Sequence, residues 1–194
     1  MNLFMQDFSL YFNLGWQHIL DWNGYDHILF VAVLCGVYLL RDWRQVLILV
    51  TAFTIGHSIT LALSVFNIVR VNTDLIEFLI PVTIVITAFV NMLNKKYDKK
   101  LLWVSYCFAM FFGLIHGLGF SNFLKSVLGK EERITGPLFA FNVGLEFGQL
   151  LIVLGVLIVS SILMRIFNVS RREWNLFLSS GVFSIALLMA IERF

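Results

Sequence analysis

The chain has 194 residues, 59% of them hydrophobic and 13% charged, with a mean hydropathy of +0.87. Soluble domains are about 45–50% apolar and about 25% charged, so this composition excludes a soluble globular protein. A net charge of +2 gives no basis for binding nucleic acid, and Cys35 and Cys107, both in apolar runs without CxxC spacing, argue against a disulfide framework.

The first residues, MNLFMQDFSLYFNLGWQ, carry Asp7 and lack the basic n-region of a cleavable signal. Between Phe8 and Trp22, aromatics mix with Asn13, Gln17, His18 and Asp21, the composition of an interfacial or re-entrant helix. Apolar spans follow at about residues 27–40, 46–69, 75–92, 101–124, 137–164 and 174–190. A hydrocarbon core of about 30 Å takes about 20 helical residues. The first span, with 14, begins earlier or is completed by the interfacial segment 1–26. The expected fold is an all-α polytopic membrane protein of about six transmembrane helices, one domain over 1–194, with the lipid bilayer as its partner.

Basic residues set the expected orientation. The loops after spans one, three and five hold nine of the 14, namely Arg41, Arg44, Lys95, Lys96, Lys99, Lys100, Arg165, Arg171 and Arg172. The other side holds Arg70, Lys125, Lys130, Arg133 and Arg193, partly offset by Glu131 and Glu132. The positive-inside rule then puts both termini outside the cytoplasm.

On that topology the ionisable residues within the membrane gather in its outer half. His18, Asp26 and His27 precede or open the first span, and His57 is near the middle of the second. His116 falls in the outer third of the fourth, Glu146 about ten residues inside the fifth, and Glu77 near the outer end of the third. The inner half holds neutral groups such as Thr51 and Asn91. A charge in the bilayer centre costs several kcal/mol and is expected to face a cavity or a partner. Asn142, Glu146 and Gln149 follow i, i+4, i+7 spacing and fall within about 60° on a helical wheel, forming one polar stripe. Glycines beside His57, His116 and Glu146 allow close helix approach.

Imidazoles with one or two carboxylates form a ligand set for Zn, Ni, Co or Fe. Asp26 either ligates or orients a histidine. Plainer roles exist for single members: His57 as a helix–helix hydrogen-bonding residue beside Ser58 or Thr54, His18 in the headgroups with Trp16 and Trp22, and Glu77 as a first-turn acid.

Four stretches, GWQHILDWNGYDHILF, TAFTIGHSITLALS, FGLIHGLGF and FNVGLEFGQL, resemble the second subgroup of the HupE/UreJ family in order and spacing, from Gly15 to Leu150. Seven residues separate His18 from Asp26, a longer spacing than the family pattern. The resemblance implies a permease-like protein of six or seven helices in a bacterial inner (plasma) membrane. It also implies association with nickel or cobalt uptake, and metal handling by His18, Asp26 and His27 with His57, His116 and Glu146. The leading expectation is therefore a divalent metal (Ni, Co or Zn) permease with an outward-facing site. The alternative is an intramembrane metal-dependent hydrolase or acyltransferase acting on a lipid-like substrate, with Ser58 or a second carboxylate as base. Bis-histidine haem ligation is a third reading, without histidine pairs at two depths to support it. The main objection to transport is the scarcity of polar groups for an inner exit route.

Overall fold

The structure, a computed structural model, describes residues 3–22, 24–94, 102–128 and 134–194. Lys95, Lys96, Lys99, Lys100, Lys130, Glu131, Glu132 and Arg133, part of the orientation argument, lie outside the described residues. The described chain is all-α: α1 (Leu3–Ile19), α2 (Asp26–Cys35), a 3₁₀ turn (Leu40–Asp42), α3 (Trp43–Val65), α4 (Thr73–Leu93), α5 (Leu102–Gly119), α6 (Ser121–Leu128), α7 (Thr135–Ile166) and α8 (Arg171–Glu192). Five of these segments are long and apolar enough to cross a membrane: the 3₁₀ turn with α3, then α4, α5, α7 and α8. The protein is thus a polytopic membrane protein.

Two expected spans take a different form. The first contains only the ten-residue α2, about 15 Å long at 1.5 Å per residue, too short to cross alone. It is preceded by α1, and both lie against α7. The Phe12 carbonyl meets Gly144 and the Trp16 carbonyl meets Gly148, so α1 runs parallel to the first half of α7. Phe30, Val31 and Val33 of α2 share a core with Val153 and Leu157 farther along α7. The two short helices therefore follow one another down a 32-residue neighbour, interrupted at residues 20–25. The fourth span is divided too: α5 stops at Gly119, and α6 starts afresh at Ser121. The Ser121 hydroxyl donates back to the Leu118 carbonyl at 2.7 Å, and the Leu124 N–H bonds the Phe120 carbonyl at 3.1 Å to open the new helix.

Two helix pairs are drawn together by glycine. In α3–α5, the Phe53 and His57 carbonyls face Gly113 and Gly117; in α1–α7, Phe12 and Trp16 face Gly144 and Gly148. Both sets have the G-x-x-x-G spacing that lets helix backbones touch in lipid, where apolar burial against another helix brings little gain over lipid tails. A Cβ at Gly144 would lie 2.0 Å from the Phe12 carbonyl oxygen, so no other residue fits this approach.

At one end of the bundle, Arg41, Arg44, Arg165, Arg171 and Arg172 gather around the ends of α4 and α7 and the start of α3 and α8; we call this the basic face. Here Arg172 donates to the Met92 and Asn94 carbonyls at 2.6 and 2.8 Å, satisfying the open C-terminal end of α4. Arg171 donates its Nε–H to the Val37 carbonyl at 2.8 Å and pairs with Asp42 at 3.5 Å. The N-terminus of α8 thereby clasps both α4 and the α2–α3 connection.

Candidate metal centre

The break between α1 and α2 brings three candidate ligands together. His18 stands in the last turn of α1, while Asp26 and His27 open α2. His57 enters from α3 and His116 from α5, both fully buried, and their two helices are held close by Gly113 and Gly117. Ring centroids are 4.6 Å apart for His18–His27, 6.1 Å for His18–His57, 6.2 Å for His27–His57 and 5.1 Å for His27–His116. One ring nitrogen each from His18, His27 and His57 fall within 4.8 Å of one another. Tetrahedral nitrogens at 2.0–2.1 Å from a metal stand about 3.4 Å apart. Small side-chain rotations would close the set around an ion.

The state of the imidazoles is more telling than their spacing. His18 Nε2, His27 Nε2, both nitrogens of His57 and His116 Nδ1 are buried without a hydrogen-bond partner. Buried polar atoms are normally satisfied, and each orphan costs about 1–3 kcal/mol. Two of the rings are also oriented from behind. Asp26 Oδ1 lies 3.0 Å from His27 Nδ1 and accepts the His27 backbone N–H at 2.9 Å. An ionised carboxylate only accepts, so His27 carries its proton on Nδ1 and turns a bare Nε2 toward the other rings. The Thr83 hydroxyl donates to the Ile80 carbonyl at 2.7 Å, so its oxygen accepts from His116 Nε2 at 3.0 Å. That leaves His116 Nδ1 as a free lone pair.

Asp26 is buried, with Oδ1 against the His27 ring and Oδ2 3.4 Å from the Arg193 guanidinium. A neutral imidazole is the form that binds metal. His18, Asp26, His27 and His116 line a cavity of about 650 Å³, with Gln17, Asp21, Glu77 and Arg193 toward the face opposite the basic one. Behind His116 the packing is aromatic: Phe30 and Phe53 centroids lie 5.0 and 5.2 Å from its ring.

The structure thus brings together His18, Asp26, His27, His57 and His116, and keeps His18 in the set despite the long spacing to Asp26. Glu77 stands at the cavity wall, exposed, and its carboxylate has no bond to a histidine among the described contacts. The α7 stripe faces elsewhere. Glu146 accepts from Thr51, Gln149 from Thr54 and Asn142 from Ser58, each at 2.7 Å, making a ladder between α7 and α3. Ser58 also donates to the Thr54 carbonyl at 2.7 Å. Sequence reasoning missed Thr83 and Arg193. A hydroxyl within IPVTIVIT could have signalled the first, because polar groups in a transmembrane helix are expected to find a purpose.

Asp26→Asn replaces a charged, accept-only carboxylate by a neutral amide that can also donate, so the His27 tautomer is no longer fixed. It is expected to weaken Ni²⁺ or Co²⁺ binding about 10–100-fold in calorimetric titration. Unchanged affinity would show that the carboxylate does not orient the ring.

Taken together, the fold and the site define an all-α polytopic membrane protein with a cluster of histidines between its helices. The sequence model of the HupE / UreJ protein family matches residues 2–193, nearly the whole chain, and the protein belongs to that family. Neither the curated proteins nor the solved structures include a match.

Proposed function

We propose that the protein is a divalent transition-metal permease. Its cluster of His18, His27, His57 and His116 captures Ni²⁺, Co²⁺ or Zn²⁺ from outside the cytoplasm, with Asp26 orienting His27. The observation that carries this reading is the set of five buried ring nitrogens without partners. Helix–helix bonding would use those nitrogens, whereas among the described residues only His116 bonds another helix, through the nitrogen turned away from the cluster. Imidazole donors favour Ni, Co, Cu and Zn over Mg and Ca, which take oxygen ligands. Orientation is supported by Arg41, Arg44, Arg165, Arg171 and Arg172 at the basic face, which is the cytoplasmic one by the positive-inside rule.

Two features support movement of the ion rather than storage. The interrupted α1–α2 pair resembles the broken helices with which carriers bind ions near the bilayer midplane. In the half toward the basic face, a second cavity of about 130 Å³ collects Tyr38, Thr87, Asn91 and Ser105. It also touches Phe112, whose ring lies 6.1 Å from Phe30, so an aromatic layer separates the two cavities. Those few polar groups answer the scarcity of an exit route noted from the sequence. A hydrolase or acyltransferase draws less support, because Ser58 is engaged with Thr54 and Asn142 on the α3–α7 seam.

Proteoliposomes containing the protein are expected to accumulate Ni²⁺, Co²⁺ or Zn²⁺ but not Mg²⁺, and His116→Ala to abolish uptake. Uptake of none of the three transition ions would overturn the transport reading.

A further inference from the structure

A cation stands at the mouth of a site meant for cations. Arg193, just past the end of α8, lines the 650 Å³ cavity and places Nη1 3.4 Å from Asp26 Oδ2. The same nitrogen donates to the Glu77 backbone carbonyl at 3.3 Å. That carbonyl is available for a reason written in the sequence. In a helix the Glu77 carbonyl would bond the N–H four residues on, but residue 81 of α4 is proline and has none. Pro81 thus leaves a vacant acceptor where Arg193 docks.

The two oxygens of Asp26 are divided between these neighbours. Oδ1 holds the His27 ring and Oδ2 meets the guanidinium. The Asp26 side chain is only 11% exposed, so its charge needs a counter-ion while no metal is present. Arg193 supplies one. Once a divalent ion binds His27, Asp26 is compensated through the imidazole, and the guanidinium becomes a like charge facing the ion across the cavity.

We propose that Arg193 is an electrostatic gate for the metal site. It rests on Asp26, anchored by the carbonyl that Pro81 leaves free, until an entering divalent cation displaces it. This role rests on the metal-binding reading above. Removing the guanidinium charge acts in one direction by two routes. It relieves direct repulsion of the ion, and it leaves Asp26 free to polarise His27 more strongly, making Nε2 a better donor. A purely structural Arg193, holding Asp26 in place, would act in the opposite direction, so the sign of the effect decides.

The test is titration of the purified full-length protein in detergent with Ni²⁺ and Co²⁺, alongside thermal unfolding. Arg193→Gln is expected to tighten binding about tenfold, the order expected when one like charge across the cavity is removed, and Arg193→Lys, which keeps the charge, to return most of that difference. In the Asp26→Asn background the gain from Arg193→Gln should shrink, because the route through the carboxylate is gone. Unchanged or weaker binding by an Arg193→Gln protein that unfolds like the parent would overturn the gate. So would Arg193→Lys binding as tightly as Arg193→Gln. A parent protein that binds neither ion would overturn the metal site itself, a result separate from the other two.

Discussion

His57→Leu is expected to abolish metal binding while leaving the metal-free protein as stable as its parent, or more stable. His57 is fully buried and neither ring nitrogen has a partner. A leucine of similar bulk removes two orphaned polar atoms, each of which costs about 1–3 kcal/mol. It also removes one member of the ligand set, and the loss of affinity should exceed the roughly 100-fold ceiling seen for groups that only orient a ligand. Unfolding in detergent and metal titration read the two effects separately. A His57→Leu protein that loses stability in proportion to its loss of binding would mark His57 as a structural residue.

Gly117→Ala should be strongly damaging, because it strikes the α3–α5 contact beside two of the histidines. Its Cβ would lie 2.3 Å from the His57 carbonyl oxygen and 2.4 Å from Thr60 Oγ1. The first of these is backbone and cannot turn aside, so α3 and α5 must separate. Overpacking of this kind costs about 1–3 kcal/mol, and it moves His57 and His116 apart at the same time. Stability and metal affinity should therefore fall together. Gly155→Ala is the control: nothing lies within 4 Å of a Cβ there. Alanine is also the better helix former by about 1 kcal/mol. If both variants unfolded at the parental temperature, close contact between α3 and α5 would be disproved.

The sequence carried the membrane class because that depends on local composition and on counting along a helix. His57 was placed near the middle of its span and His116 in the outer third of its own, without knowing which helices touch. The shortness of the first span likewise foretold that α2 would need α1. What pattern cannot supply is the neighbour of a helix face. Asn142, Glu146 and Gln149 were legible as one stripe, but the helical wheel is silent on what the stripe meets. It meets the hydroxyls of Thr51, Thr54 and Ser58, with no histidine bonded to it among the described residues. Asp26 shows the same limit at shorter range. Adjacency to His27 left ligation and orientation equally open, and only the 3.0 Å contact to Nδ1 separates them. Arg193 was counted as a loop charge, because its partners are Asp26 and a carbonyl freed by Pro81, both far away in the chain.

The glycine contacts have a mechanical meaning as well. They weld α3 to α5 and α1 to α7 into two stiff units, and the proposed ligand set is split between them: His57 and His116 on one, His18 on the other, with His27 on the short α2 between. An ion held by all of them is a bolt through two plates. Its hold depends on how far apart the plates stand, and the seam along α3 and α7 that sets this distance is made of hydroxyl-to-amide and hydroxyl-to-carboxylate bonds. Whatever shifts one plate against the other loosens the bolt, with every histidine still in its own helix.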